Sequence, residues 1–238
     1  MEISSDLKFH KDRLAENIAY LDDFFKKREM NWTLVIKLFN SFETDIIDYI
    51  QDMEIKSVAS DNLNHLHSLK KQSNDIETWF LNYDGVEIQD DLIDVDLTHK
   101  PNSIPEKKCF MLEIDTERFG IKVDNIQAKE FYYKVKRVGA YLDCEKLPKK
   151  CLINKWRSFS FSSDILQSLG TSVSIAEIDS YRRAGINHFR IGELAFFGKD
   201  ILKKQKFEGL RNDIFEPTTN NKYYFVSNIK NKFKENIK

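Results

Sequence analysis

No stretch of this 238-residue chain approaches the roughly 18–20 consecutive apolar residues that span a bilayer; the longest, such as 32–39 and 194–197, fall far short. The opening residues, MEISSDLKFHKDRLAENI, are charged and lack the apolar centre of a signal peptide, so the expected location is cytoplasmic and no membrane partner is expected. Neither sign of charge prevails. Lys and Arg number 37 against 38 Asp and Glu, a net charge of −1, so no global field favours nucleic acid, and none is expected as a partner. Cysteine is scarce and odd in number: Cys109, Cys144 and Cys151 form no CxxC pair and make no disulfide framework, and read as reduced, partly buried thiols. No GxGxxG, Walker A or HExxH motif occurs. The one H-x-H, His65 and His67, lies in a segment that reads as helix, where positions i and i+2 point apart, so no metal site is expected there. No internal repeat is visible.

What is present alternates. Residues 5–28 read as a helix, with Leu14, Ile18, Leu21 and Phe25 at helical spacing and Ser5 or Asp6 as its cap. A strand TLVIKLF follows, then a helix near 43–52, a strand KSVAS and a helix near 61–72. After these come IETWFLNY, LIDVDLTH, CFMLEIDT, KRVGAYLDC, KWRSFSFSS and NHFRIGELAFFG. About eight strands alternate with helices, which implies parallel pairing with right-handed crossovers and closure into a barrel. A parallel crossover takes a dozen or more residues, and two intervals are short of that. The expected fold is therefore an α/β, TIM-type (β/α)8 barrel with some helices shortened or missing, after the fourth and sixth strands. Pro101, Pro105 and Pro148 lie in those gaps, as loop punctuation. The expected organisation is a barrel over residues 1–216 and a short basic tail over 217–238.

One residue breaks the pattern of its strand. Trp32, Leu34, Val35 and Ile36 run straight into Lys37, after which Leu38 and Phe39 resume the apolar run, and lysine is almost never fully buried without a partner. Either its head reaches water at the strand end, or the fold holds an amine in a cleft. There, burial disfavours the charged form, and a neutral amine condenses with an aldehyde.

Four segments decide how Lys37 is read: LVIKLF (34–39), LEIDTERFGI (112–121), FSFSSDIL (159–166) and INHFRIGELAFFG (186–198). In order and spacing they resemble the alanine/ornithine racemase family, fold-type III pyridoxal-phosphate enzymes with an alanine-racemase-like amino-terminal barrel. SVASDNLNHLHSLK (57–70) fits as the second strand and helix, and the resemblance covers roughly residues 5–216. It implies pyridoxal 5′-phosphate as cofactor, a small amino acid as substrate, and Lys37 as both the internal aldimine and one proton-transfer group. It implies Arg190 at the pyridine nitrogen, where a permanent positive charge keeps that nitrogen unprotonated. Gly192 and Glu193 would offer backbone N–H groups to the phosphate, joined by the hydroxyl of Ser163. Arg118 would hold the substrate carboxylate.

Three of these residues have an ordinary alternative: a surface ion pair for Arg190, a polar strand end for Ser163, pairing with Asp115 or Glu117 for Arg118. Family members carry a carboxy-terminal β-domain that, in the alanine racemases, supplies a catalytic tyrosine across a dimer interface, and by this resemblance most of that domain is expected to be missing here. Tyr141, at a predicted strand end, is the candidate for the second proton-transfer group, with a core aromatic as its alternative. A homodimer is left open. Two other readings stand beside the racemase: a non-catalytic barrel that binds or handles pyridoxal phosphate, and a degenerate scaffold.

Overall fold

The computed structural model describes residues 7–37, 45–88, 90–99, 108–114, 120–122, 135–141, 149–170, 177–200 and 205–217. In chain order these form β1 (Leu7–Phe9), α1 (Lys11–Lys26), β2 (Asn31–Val35), α2 (Asp45–Gln51), β3 (Ser57–Ser60), α3 (Leu63–Gln72), β4 (Glu77–Phe80) and β5 (Val95–Thr98). There follow β6 (Lys108–Glu113), β7 (Ile121–Lys122), β8 (Arg137–Tyr141), α4 (Lys149–Ser158), β9 (Leu166–Gly170), α5 (Ile178–Arg182), β10 (His188–Ile191) and α6 (Glu193–Phe197). Three short strands close the series: β11 (Lys199–Asp200), β12 (Gln205–Lys206) and β13 (Phe215–Pro217).

Eight parallel strands close into a barrel in the order β2, β3, β4, β5, β6, β8, β9, β10 and back to β2. The short β7 extends β6 outside the ring. Because every barrel strand runs the same way, all their C-terminal ends open at one mouth. Side chains alternate across each strand, so the barrel has two cores. The outer one lies between strands and helices: Leu14, Ile18, Leu21 and Phe25 of α1 are each at most 3% exposed there, a burial that stabilises by about 1.5–3 kcal/mol per side chain. The inner one gathers Val35, Ala59, Trp79, Leu81, Val95, Leu97, Cys109 and Met111. No helix among the described residues is long and apolar enough to cross a membrane.

Three expectations need correction. The first helix begins at Lys11, because Leu7–Phe9 pairs antiparallel with Phe215–Pro217, where Phe9 packs on Tyr49 and Phe215 at 5.0 and 5.3 Å between ring centroids. The missing helix after the sixth barrel strand, β8, is present as α4. KWRSFSFSS is correspondingly not the seventh strand: its first residues finish α4, and the strand is Leu166–Gly170. Leu152, Ile153 and Trp156 recur at helical spacing and are buried, and the Trp156 indole donates to Gln167 Oε1 at 2.8 Å, fixing α4 to β9. The ring of helices is instead open after β4, where no helix forms among the described residues between Leu81 and Asp94. There Asn82 closes the loop on itself, its amide donating to Val86 O at 2.7 Å and its Oδ1 accepting from Val86 N at 3.1 Å. The interval after the fourth barrel strand, 100–107, lies outside the described residues, as do 218–238 of the expected tail.

Candidate functional site

Lys37 follows β2 by two residues, and the parity of the strand decides where it goes. Thr33 and Val35 face the barrel interior, so Lys37, next in that series, comes up at the C-terminal mouth. Pairing continues past the strand, with Ile36 N–H donating to Ala59 O at 2.9 Å. The amine donates to the hydroxyl of Tyr83 at 2.8 Å and lies 5.0 Å from the centre of that ring. Tyr141, the last residue of β8, donates to the same hydroxyl at 3.1 Å. Burial, with Tyr83 beside it, holds the Tyr141 hydroxyl protonated well above the usual phenol range, and the charges of Arg190 and Lys37 do not reverse this.

Arg190 comes from β10 and is 3% exposed. Its Nη1 donates to Ser168 Oγ at 2.5 Å and to Ser168 O at 3.2 Å, and its Nη2 donates to Ala140 O at 2.9 Å. The guanidinium carbon lies 5.0 Å from the centre of the Tyr141 ring. Among the described residues its Nε is buried without a hydrogen-bond partner, a costly state for a donor on a charged group. Two glycines make the space: a Cβ on Gly170 would stand 2.6 Å from Nη2 and 2.8 Å from Nε, and one on Gly139 would stand 3.1 Å from Nη1.

Gly192 and Glu193 follow β10 directly and open α6 at the same mouth. Lys37, Tyr141, Arg190, Gly192 and Glu193 therefore share one end of the barrel. Ser163 does not. It is exposed and precedes β9 by three residues, which puts it at the opposite end, the consequence of the strand beginning at Leu166 rather than near 156. A hydroxyl serving the mouth from this strand has to follow Gly170, where the sequence reads Thr171 and Ser172, outside the described residues. Arg118 also lies outside the described residues. Tyr83 is the residue that reading by motif missed. It stands in a carboxylate-rich segment that reads as a solvated rim, yet Trp79, Leu81 and Tyr83 continue one inward-facing series, and that period of two is the signal that finds it.

Beneath the mouth the interior is polar on the β2, β9 and β10 side. His188 stacks flat on Trp79, 4.6 Å between centroids with 5° between planes. Its Nδ1 lies 2.8 Å from Ser168 Oγ and its Nε2 2.9 Å from Thr33 Oγ1. Burial, reinforced by the charges of Arg190 and Arg137, pushes the imidazole down to about 3, so it is neutral. Cys109, also inside the barrel, is pushed up to about 12 by burial, which makes it an inert thiol. Cys151 is exposed on α4.

Neither a family model nor a curated protein matches the sequence. Solved structures do match in fold. The alanine racemase of Oenococcus oeni superposes with a TM-score of 0.62 at 11% identity, covering 91% of this chain and 66% of that one. The alanine racemase of Bartonella henselae with covalently bound pyridoxal phosphate gives 0.64 at 11%, covering 82% and 61%. That of Corynebacterium glutamicum gives 0.61 at 14%, covering 88% and 66%. The class of protein is thereby defined at the level of fold: an α/β barrel built like those of alanine racemases. The chain spans about three-fifths to two-thirds of the length of these structures.

Proposed function

We propose that this chain is a racemase-like barrel of the alanine/ornithine type, binding pyridoxal 5′-phosphate covalently through Lys37 and acting on a small amino acid. One observation carries the reading: an amine and a buried guanidinium, whose Nε–H has no partner among the described residues, are held at the same mouth of this fold. That N–H suits an aromatic ring nitrogen as acceptor, and a group that never loses its proton keeps the acceptor unprotonated. The space over Gly139 and Gly170 is compatible with this use, since it holds the guanidinium without filling the mouth. Gly192 and Glu193 are proposed to hold the phosphate by backbone N–H groups, at the end of the barrel where phosphate sites are common. Arg118 is proposed to take the substrate carboxylate. The cofactor, when bound, supplies an electron sink for the α-carbon.

The remaining chemistry belongs to the chain. Lys37 removes or returns a proton on one face of the α-carbon, and Tyr83 orients its amine. Tyr141, kept protonated by burial, is suited to donate a proton rather than to accept one. That property favours a second reading, a barrel that binds the cofactor but lacks an effective base on the opposite face.

Exchange of the α-proton in heavy water, followed by chiral chromatography on alanine and ornithine, separates the two. Inversion with exchange is the racemase result, and Tyr141→Phe should then lower inversion by about 10²–10⁴-fold, the usual worth of one acid–base group. Exchange with retained configuration indicates the one-base barrel. Neither exchange nor inversion, with pyridoxal phosphate bound, leaves a binding protein and overturns the racemase reading.

A further inference from the structure

The proposed reaction makes no use of a line of polar groups, buried except for the half-buried Glu77 at its end, that crosses the barrel below Arg190. Its contacts run from Arg190 Nη1 to Ser168 Oγ (2.5 Å), from Ser168 Oγ to His188 Nδ1 (2.8 Å), and from His188 Nε2 to Thr33 Oγ1 (2.9 Å). They continue from Thr33 Oγ1 to Ser57 Oγ (2.7 Å) and from Ser57 Oγ to Glu77 Oε2 (3.3 Å). The same Glu77 oxygen accepts from the Trp79 indole N–H at 2.8 Å, and Trp79 is the ring on which His188 lies.

Counting protons gives this line a direction. A hydroxyl carries one proton. Ser57 spends its proton on the Glu77 carboxylate, so Thr33 must donate to Ser57. Thr33 then has none left for His188, so His188 Nε2 carries a proton and donates to Thr33. A neutral imidazole has only one N–H, so its Nδ1 is bare and accepts from Ser168. Ser168 in turn accepts from the guanidinium. Every donor has one acceptor, and the alternative tautomer would leave two protons facing each other or none.

We infer that Ser168, His188, Thr33, Ser57 and Glu77 form a one-way hydrogen-bond chain from the Arg190 guanidinium to a carboxylate, and that His188, locked as the Nε2–H tautomer, is a positioning residue for Arg190. The chain commits Nη1 from below while Ala140 O commits Nη2, so rotation of the guanidinium is blocked and Nε is left for a ligand. The flat stack on Trp79 fixes the plane of the imidazole, and the indole N–H on Glu77 fixes where the chain ends. Only the purpose of Nε rests on the proposed function; the direction of the chain stands without it.

The test needs no cofactor. Protein labelled with ¹⁵N in histidine and arginine reports the tautomer of His188 through long-range ¹H–¹⁵N couplings, and the constraint on Arg190 through hydrogen exchange at Nε–H. The wild-type chain should show His188 as Nε2–H. Thr33→Val keeps the shape and removes the acceptor, so His188 should switch to Nδ1–H, and exchange at Arg190 Nε–H should quicken by about tenfold or more. Thr33→Ser, which restores a hydroxyl, should return both to the wild-type state. A wild-type Nδ1–H tautomer overturns the inference, even if the valine variant fails to fold, and so does a valine variant with unchanged tautomer and exchange. Either failure leaves covalent capture by Lys37 untouched, and a failure of capture leaves the chain's direction untouched.

Discussion

Lowering the pH below 6.5 is expected to cost this barrel about 1.4 kcal/mol of stability for each pH unit through His188 alone. The imidazole is pushed from its ordinary 6.5 to about 3 by burial and by the charges of Arg190 and Arg137. Above 6.5 it is neutral in both the folded and the unfolded chain and contributes no slope. Between 6.5 and about 3 the unfolded chain takes up a proton that the folded chain refuses, so acid favours unfolding throughout that window. A proton forced onto Nδ1 would also face the Ser168 hydroxyl that donates to it and break the line to Arg190. Carboxylates add slopes of their own as they titrate, so the measurement is a difference. Urea unfolding at pH 7.5, 6 and 5 should show the wild-type chain losing stability relative to His188→Gln as the pH falls. Parallel losses in the two proteins would mean that His188 is not held neutral.

Gly170→Ala should destabilise the fold by about 3 kcal/mol, the upper part of the range for overpacking a close-packed interior. Gly170 is not among the glycines with positive φ, so the backbone accepts alanine without strain and the effect comes from space alone. The new Cβ would stand 2.6 Å from Arg190 Nη2, 2.8 Å from Nε and 3.0 Å from the guanidinium carbon, distances at which something must move. The guanidinium is the part that can. Its movement gives up the bonds to Ala140 O and Ser168, which are hydrogen bonds from a charged donor worth about 1.5–3 kcal/mol each. Affinity for pyridoxal phosphate should fall with the stability, because the same displacement takes Nε out of register. Urea midpoints and cofactor titration check both. A variant as stable as wild type and equally able to bind would show that Arg190 does not need the niche.

Much of this architecture is legible in residue order, and the failures have physical causes. Val35 and Lys37, or Trp79 and Leu81, show the period of two that places side chains inside the barrel, and the spacing of Leu14, Ile18, Leu21 and Phe25 marks α1 directly. The segment KWRSFSFSS misleads because its aromatic residues favour strands by propensity, while the tertiary packing of Leu152, Ile153 and Trp156 makes its start a helix. That single shift carries Ser163 to the wrong end of the barrel. Tyr83 is obscured by the carboxylates around it, and only continuing the parity of β4 beyond its last hydrogen bond recovers it. The polar line from Arg190 to Glu77 could not be read at all: β2, β3, β4, β9 and β10 each contribute one or two of its members, and they meet only when β10 pairs with β2 and closes the ring.

The proposed function requires that the amine held by Tyr83 at the mouth of this barrel capture pyridoxal phosphate. Its direct measurement is borohydride reduction of the full chain incubated with the cofactor, followed by peptide mapping and mass determination. One cofactor per chain is expected, located on the peptide containing Lys37, with loss of that label in Lys37→Ala. Label scattered over surface lysines, or the same stoichiometric capture in Lys37→Ala, would contradict it.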